Sequence, residues 1–294
     1  FTVHTTYIEN TIDFDFEHKF LPPVFILVFI IGLVANGWGL KSSMFLFCNL
    51  GVADILYLLT LPFLMVYYFM KSKWIFGDVF CKITRFCFNL NLYGSIGFLT
   101  CISVYRYLAI VHPVRFRGRL TLTHSVVISV IVWLVVSVQS LPDMFYTKTF
   151  RNKSGKCYDT THKLYVENYL IYSFGWTLTA FCIPLLIIVG CYGHIAVVLW
   201  TRRIYKVQKQ RSIKLLFILI LLFSVCYIPY HVFKNVNLWA RVLSKQGKCD
   251  QWNNGVYIAH QISRGLVCLN SALNPLVYLH ANEKILVHIA CKNY

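Results

Sequence analysis

Seven long apolar runs follow one another along this chain, and no stretch between them is long and polar enough to fold as a separate domain. They cover roughly residues 22–40, 44–69, 79–111, 124–145, 168–200, 212–238 and 255–279. A run of about 18 or more apolar residues is long enough to cross a bilayer as a helix. Inside lipid the backbone must satisfy its own hydrogen bonds, so these runs predict an all-α membrane protein, a bundle of seven transmembrane helices. Charged residues make up only 13% of the chain and hydrophobic ones 57%, whereas a soluble domain carries about 25% charge. Residues 1–21 are expected to form an extracellular N-terminal segment, 22–279 the bundle, and 280–294 a cytoplasmic tail with a short surface helix. Residues 1–20 are polar and acidic (Glu9, Asp13, Asp15, Glu17), so no cleavable leader is expected in them.

The formal charge of +17 would point to nucleic acid in a soluble protein. Here the membrane accounts for it, because cytoplasmic loops collect Lys and Arg. With the N-terminus outside, Arg115, Arg117 and Arg119 fall inside, as do Arg202, Arg203, Lys206, Lys209, Arg211 and Lys214. No nucleic-acid partner is expected. The same orientation puts the sequon Asn152-Lys-Ser154 on the outside, where such sites are glycosylated. It also puts Cys81 and Cys157 outside, where a disulfide between them would persist.

The outer face is basic too, which the loop rule does not predict. Lys148, Arg151, Lys153, Lys156 and Lys163 crowd the loop after the fourth run. Solvation or snorkelling explains such lysines. Arg85, Lys234 and Arg264 differ, since each is embedded among aromatic or apolar neighbours. A cation within a membrane-length run costs about 2.5–3.5 kcal/mol on insertion scales, so it faces a cavity or an anionic partner. His231 and Lys234 are three residues apart and are expected to share a helix face. The last run carries Arg264 near one end and Asn270, Asn274, Pro275 and Tyr278 near the other. Pro275 weakens the helix by removing a backbone hydrogen bond. A ligand-facing charge and a deformable joint on one helix suit a receptor.

Taken jointly, these residues resemble the rhodopsin-like G-protein-coupled receptors. The resemblance rests on Asn36, on Leu50-Gly-Val-Ala-Asp54, on Arg106, Trp133, Pro184 and Tyr192, on Cys226-Tyr-Ile-Pro229 and on Asn274-Pro-Leu-Val-Tyr278. Within that class the chain is similar to the purinergic nucleotide receptors, nearest the ADP-selective type. The stretches that carry this are Trp74-Ile-Phe-Gly-Asp78, Asn91-Leu-Tyr-Gly-Ser-Ile, Cys157-Tyr-Asp-Thr-Thr161, Tyr227-Ile-Pro-Tyr-His231-Val-Phe-Lys234 and Gln261-Ile-Ser-Arg264.

That likeness implies a plasma-membrane receptor whose partners are an extracellular nucleotide, a heterotrimeric G protein of the Gq or Gi class, and membrane lipid. Phosphates would be read by Arg85, His231, Lys234, Arg241 and Arg264. Tyr158, Asp159, Asn237, Tyr257 and Gln261 would line the same mouth. Physical chemistry agrees: a nucleoside diphosphate carries about three negative charges, and Arg and Lys donors suit phosphate oxygens. Phe88 and Tyr93 are candidates to stack on a base, although aromatics at helical spacing usually serve packing. Asn36, Asp54, Ser95, Asn270 and Asn274 form the polar cluster that in this family hosts sodium and water. Phe223, Tyr227 and Pro229 would form the hinge of the sixth helix, and Arg106, Tyr192 and Tyr278 would exchange contacts when it swings. Apart from a possible sodium ion no cofactor is expected.

Three features depart from the family pattern. Tyr105 stands where an acid usually precedes Arg106, which implies modest basal activity. The segment from Asn36 to Asp54 is about ten residues short, leaving little beyond Leu40-Lys-Ser-Ser43 to join the first two helices. That shortening keeps open a decoy that binds without signalling, just as the basic mouth keeps open a dicarboxylate or acidic-lipid ligand. Cys249 has no cysteine partner within residues 1–20. An enzyme is not expected, since the ten histidines are scattered and neither CxxC nor HExxH occurs. Inverted repeats, which an anion transporter would need, are absent as well.

Overall fold

The computed structural model describes residues 15–39, 45–116, 121–145, 157, 165–201, 206–247 and 252–281. Those residues form seven membrane-length helices: α1 (Asp15–Gly39), α2 (Phe45–Phe69), α3 (Asp78–Val111), α4 (Leu122–Phe145), α5 (Val166–Thr201), α6 (Lys206–Lys245) and α7 (Asn253–Ala281). No strand occurs among them. Six of the seven are long and apolar enough to cross a bilayer on their own. The seventh, α7, is diluted by polar residues, and these point inward: Gln261, Ser263, Asn270, Ser271 and Asn274 are all buried. The large apolar side chains show the opposite preference. Ile30, Ile31 and Val34 on α1, Leu134 and Val138 on α4, and Leu186 and Val189 on α5 are exposed, as lipid contact requires. Lipid offers no hydrophobic drive between helices, so close backbone approach holds them instead. A Cβ on Gly32 would come within 2.8 Å of Leu58, and one on Gly265 within 2.9 Å of Phe20.

Helix α3 forms the axis, packing against α2, α4 and α5, while α7 closes the ring against α1, α2 and α6. The outer end of α3 is fixed by Trp74, which packs on Tyr67 and Phe80 and donates its indole N–H to the Gly77 carbonyl at 2.7 Å. Gly77 has φ +83°, a turn that other residues rarely adopt, and the helix starts immediately after it. Cys81, one turn in, is disulfide-bonded to Cys157, which ties the loop after α4 to the top of α3.

Proline shapes the other helices. Helix α2 breaks at Leu59 and Thr60, just ahead of Pro62. Helices α5 and α6 each contain a five-residue π turn, Leu178–Cys182 and Phe223–Tyr227, shortly before Pro184 and Pro229. These prolines have no N–H for the carbonyls of Ala180 and Val225, and their rings crowd the preceding turn, which widens in response.

Helix α1 begins at Asp15, seven residues ahead of the start expected at residue 22. At about 1.5 Å per residue its 25 residues reach some 37 Å. The shortened link to α2 therefore does not leave α1 too short to span. The outward extension is secured by Glu17, a buried carboxylate that accepts from Tyr257 at 2.6 Å and Ser72 at 3.0 Å. Asn152, Tyr158, Asp159 and Cys249 lie outside the described residues, as do the tail from 282 and the Tyr278 side chain.

Candidate functional site

The outer halves of α3, α4, α5, α6 and α7 enclose a cavity of about 600 Å³, counting its open mouth. Arg85 from α3, Lys234 from α6 and Arg264 from α7 all line it, with Phe88 and Asn237 beside them. Five of the residues expected at a ligand mouth are thus brought together.

Their electrostatics differ. Arg85 donates from Nε and Nη2 to Asp143 of α4 at 3.3 and 3.0 Å, and both partners are more than nine-tenths buried. Asn89 donates to the same carboxylate at 2.9 Å and the Tyr169 hydroxyl at 2.6 Å. Lys234 makes no direct ion pair among the described residues, although Asp143 lies close enough to act on it electrostatically. Its ammonium lies 5.8 Å from the ring centre of Tyr169 and 5.9 Å from that of Tyr230, within cation–π range. Arg264 is braced by neutral groups: Nη1 donates to Gln261 Oε1 at 2.8 Å and Nη2 to the Tyr68 hydroxyl at 2.9 Å. Arg85 is thus paired directly with a carboxylate, while the hydrogen bonds described for Arg264 and the ring contacts of Lys234 are to neutral groups.

Other expected ligand contacts lie elsewhere. His231 is buried, its ring stacked on Phe181 at 4.3 Å, and it does not line the cavity although Lys234 three residues on does. A spacing of three turns the helix by about 300°, leaving the two side chains about 60° apart; here that is enough to separate their surroundings. Tyr93 packs on Trp176 at 4.5 Å and on His231 at 5.7 Å. Tyr257 faces Glu17 of α1, and Arg241, farther out on α6, is also absent from the lining. Sequence reasoning missed Asp143, Asn89, Tyr169, Tyr230 and His260, all of which line the cavity. Asp143 did carry a signal: an acid within an otherwise apolar membrane run is as costly as the cations were.

A second polar cluster lies deeper. Asp54 Oδ1 accepts from Asn91 at 2.7 Å, and both its oxygens accept from Asn274 at 3.0 Å. Asn274 also donates to Ser95 at 3.3 Å, Ser271 donates to Asn91 at 3.0 Å, and Asn36 donates to the Ser271 carbonyl at 2.7 Å. Four helices (α1, α2, α3 and α7) are joined through side chains that are essentially unexposed. Asn91 and Ser271 were not anticipated as members. Asn270 is buried beside Tyr227, whose ring meets Phe223 at 5.0 Å within the π turn of α6. Toward the cytoplasm, Arg106 and the buried Tyr192 lie close enough to interact electrostatically.

Comparison with known proteins places this geometry. The family described as "7 transmembrane receptor (rhodopsin family)" matches residues 26–278. Purinoceptor 1 of the Y type from Homo sapiens is 44% identical over 288 residues, covering 91% of this chain and 75% of that protein. The Mus musculus protein of the same name is 44% identical over 284 residues, with the same coverage. Purinoceptor 4 of the Y type from Xenopus laevis is 35% identical over 296 residues, which span 92% of this chain and 53% of its own length. The chain therefore belongs to the rhodopsin family of seven-transmembrane receptors, among the purinoceptors of the Y type, and is a multi-pass plasma-membrane signalling protein rather than an enzyme.

Proposed function

We propose that this receptor binds an extracellular nucleotide of the ADP or ATP kind in the outer cavity and passes the event to a heterotrimeric G protein of the Gq or Gi class. The observation that carries the reading is the convergence of Arg85, Lys234 and Arg264, from three helices, on one cavity at the disulfide-bonded end of the bundle. Phosphate oxygens would take donors from Lys234 and Arg264, and Phe88 offers a ring at the cavity wall for the base. The relatives, named purinoceptors, favour this ligand over a dicarboxylate or an acidic lipid.

A ligand drives signalling only by binding one packing of the bundle better than another. The joint for that change would be α6 at Phe223, Tyr227 and Pro229, with Pro275 softening α7. Arg106, Tyr192 and Tyr278 would line the cytoplasmic groove that opens. Asp54, Ser95, Asn91 and Asn274 would hold a sodium ion in the resting form: they offer hard oxygen donors, and the buried Asn274 Oδ1 has no partner among the described residues. Surrounding lipid contacts the exposed apolar belt.

The test is a calcium-release and cAMP assay in cells expressing the chain, challenged with ADP, ATP, UDP, UTP and succinate, with surface staining alongside. A response to at least one nucleotide and none to succinate is expected. Calcium release would assign Gq and a fall in cAMP Gi. Response to succinate alone would overturn the nucleotide reading. Nucleotide binding at normal surface level with neither signal would identify a decoy.

A further inference from the structure

Asp143 is the only acidic residue of α4, and it stands in the cavity rather than at a solvated helix end. Its Oδ1 accepts from Arg85 Nη2 and from the Tyr169 hydroxyl, and its Oδ2 accepts from Arg85 Nε and from Asn89. A carboxylate gripped from both α3 and α5, and almost wholly buried, is not easily displaced. An anion approaching Arg85 therefore meets a fixed negative charge bonded directly to that guanidinium, 3.0 Å away. Of the three lining cations, Arg85 is paired directly with Asp143, whose charge also reaches Lys234, while the described contacts of Lys234 with rings and of Arg264 with an amide and a hydroxyl are neutral.

We propose that Asp143 is a charge-selectivity residue: by neutralising Arg85 inside the binding cavity, it limits how many anionic groups a ligand can place there. Each additional phosphate brings further negative charge into a space where Lys234 and Arg264 are already engaged, and Asp143 repels it. Asp143 lines the same cavity as Lys234 and Arg264, in a region water screens poorly, so the repulsion is felt there. This inference rests on the nucleotide reading of the same cavity.

The experiment measures the ratio of triphosphate to diphosphate potency, for ATP and ADP, across a charge series. The variants are Arg85→Gln, the neutral pair Arg85→Gln with Asp143→Asn, and Asp143→Asn alone, each normalised to surface staining. The ratio is expected to follow cavity charge. It falls at least fivefold in Arg85→Gln, stays within twofold of wild type in the pair, and rises at least fivefold in Asp143→Asn. The pair leaves no orphaned buried charge, so it keeps the series readable if one single variant does not reach the surface. A purely positioning role for Asp143 would lower both potencies together and leave the ratio unmoved, which would overturn the inference. So would a pair that shifts the ratio as Asp143→Asn does. A wild-type receptor at normal surface level that answers neither nucleotide would overturn the nucleotide reading itself, and this inference with it. One that answers both while the ratio ignores the series would sink this inference alone.

Discussion

The outer cavity and the inner polar cluster are both built from buried polar side chains, yet they are satisfied in opposite ways. The inner cluster is closed on itself apart from the Asn274 Oδ1: Asp54, Asn91, Asn274, Ser95, Ser271 and Asn36 link four helices, at distances of 2.7–3.3 Å. Among the described residues the outer cavity brings three cations together with one carboxylate, which pairs directly with Arg85, while the described contacts of Lys234 and Arg264 are with rings, an amide and a hydroxyl. A closed network stabilises one arrangement of helices. An incomplete one leaves interaction energy to be realised by a ligand, and that is the physical meaning of a binding site here.

Perturbations should separate the two regions, and the largest effect falls on the covalent tie of the outer one. Cys157→Ser opens the link to Cys81, and loss of such a bond costs about 2–5 kcal/mol. Surface staining is expected to fall severely, and nucleotide binding with it. Preserved staining and potency would mean the cavity needs no covalent brace. Next comes Asp54→Ala, which leaves the amides of Asn91 and Asn274 short of an acceptor at a cost of about 2 kcal/mol. Thermal unfolding of the purified receptor is expected to shift down, while nucleotide affinity changes less than about threefold, or 0.7 kcal/mol. An affinity loss matching the stability loss would erase the distinction between the regions.

Lys234→Ala and Arg264→Ala, singly, are expected to show the reverse pattern. Nucleotide potency falls at least tenfold, about 1.4 kcal/mol, with surface level maintained. Unchanged potency in both would remove the phosphate assignment. The smallest effect concerns Tyr105→Asp, which places a carboxylate next to Arg106. Ligand-independent signalling should drop about twofold, some 0.4 kcal/mol. A basal signal that does not drop would show that Arg106 is already held by other means.

Much of the bundle was legible because membrane insertion is a property of single runs: a helix is apolar enough to cross or it is not. Asp54, Arg85, Lys234 and Arg264 stood out for the same reason, as polar groups where lipid forbids them. Pairings were not legible. Arg85 and Asp143 are 58 residues apart, and only the packing of α3 against α4 brings them together. Glu17 and Tyr257 are separated by 240 residues, and the polar start of the chain offered no hint that α1 reaches back to Asp15. Asn91 and Ser271 are small polar residues of a kind that often serves helix contact, so nothing local marked them as network members. His231 and Tyr93 have the right chemistry for a ligand, but neighbouring rings claim them first.

The π turn of α6 has a geometric consequence for the ligand. Such a turn holds one residue more than the regular helix it interrupts, and each residue advances an α-helix by about 100°. Everything beyond Tyr227 is therefore rotated relative to the cytoplasmic half, and that offset is what aims Lys234 at the mouth. Wound as a regular helix, the same residues would carry the ammonium about 100° round the axis toward a neighbouring helix, and deleting one residue along with the wide turn would cancel that swing. The receptor's aim at its ligand thus depends on a one-residue irregularity some two turns below it.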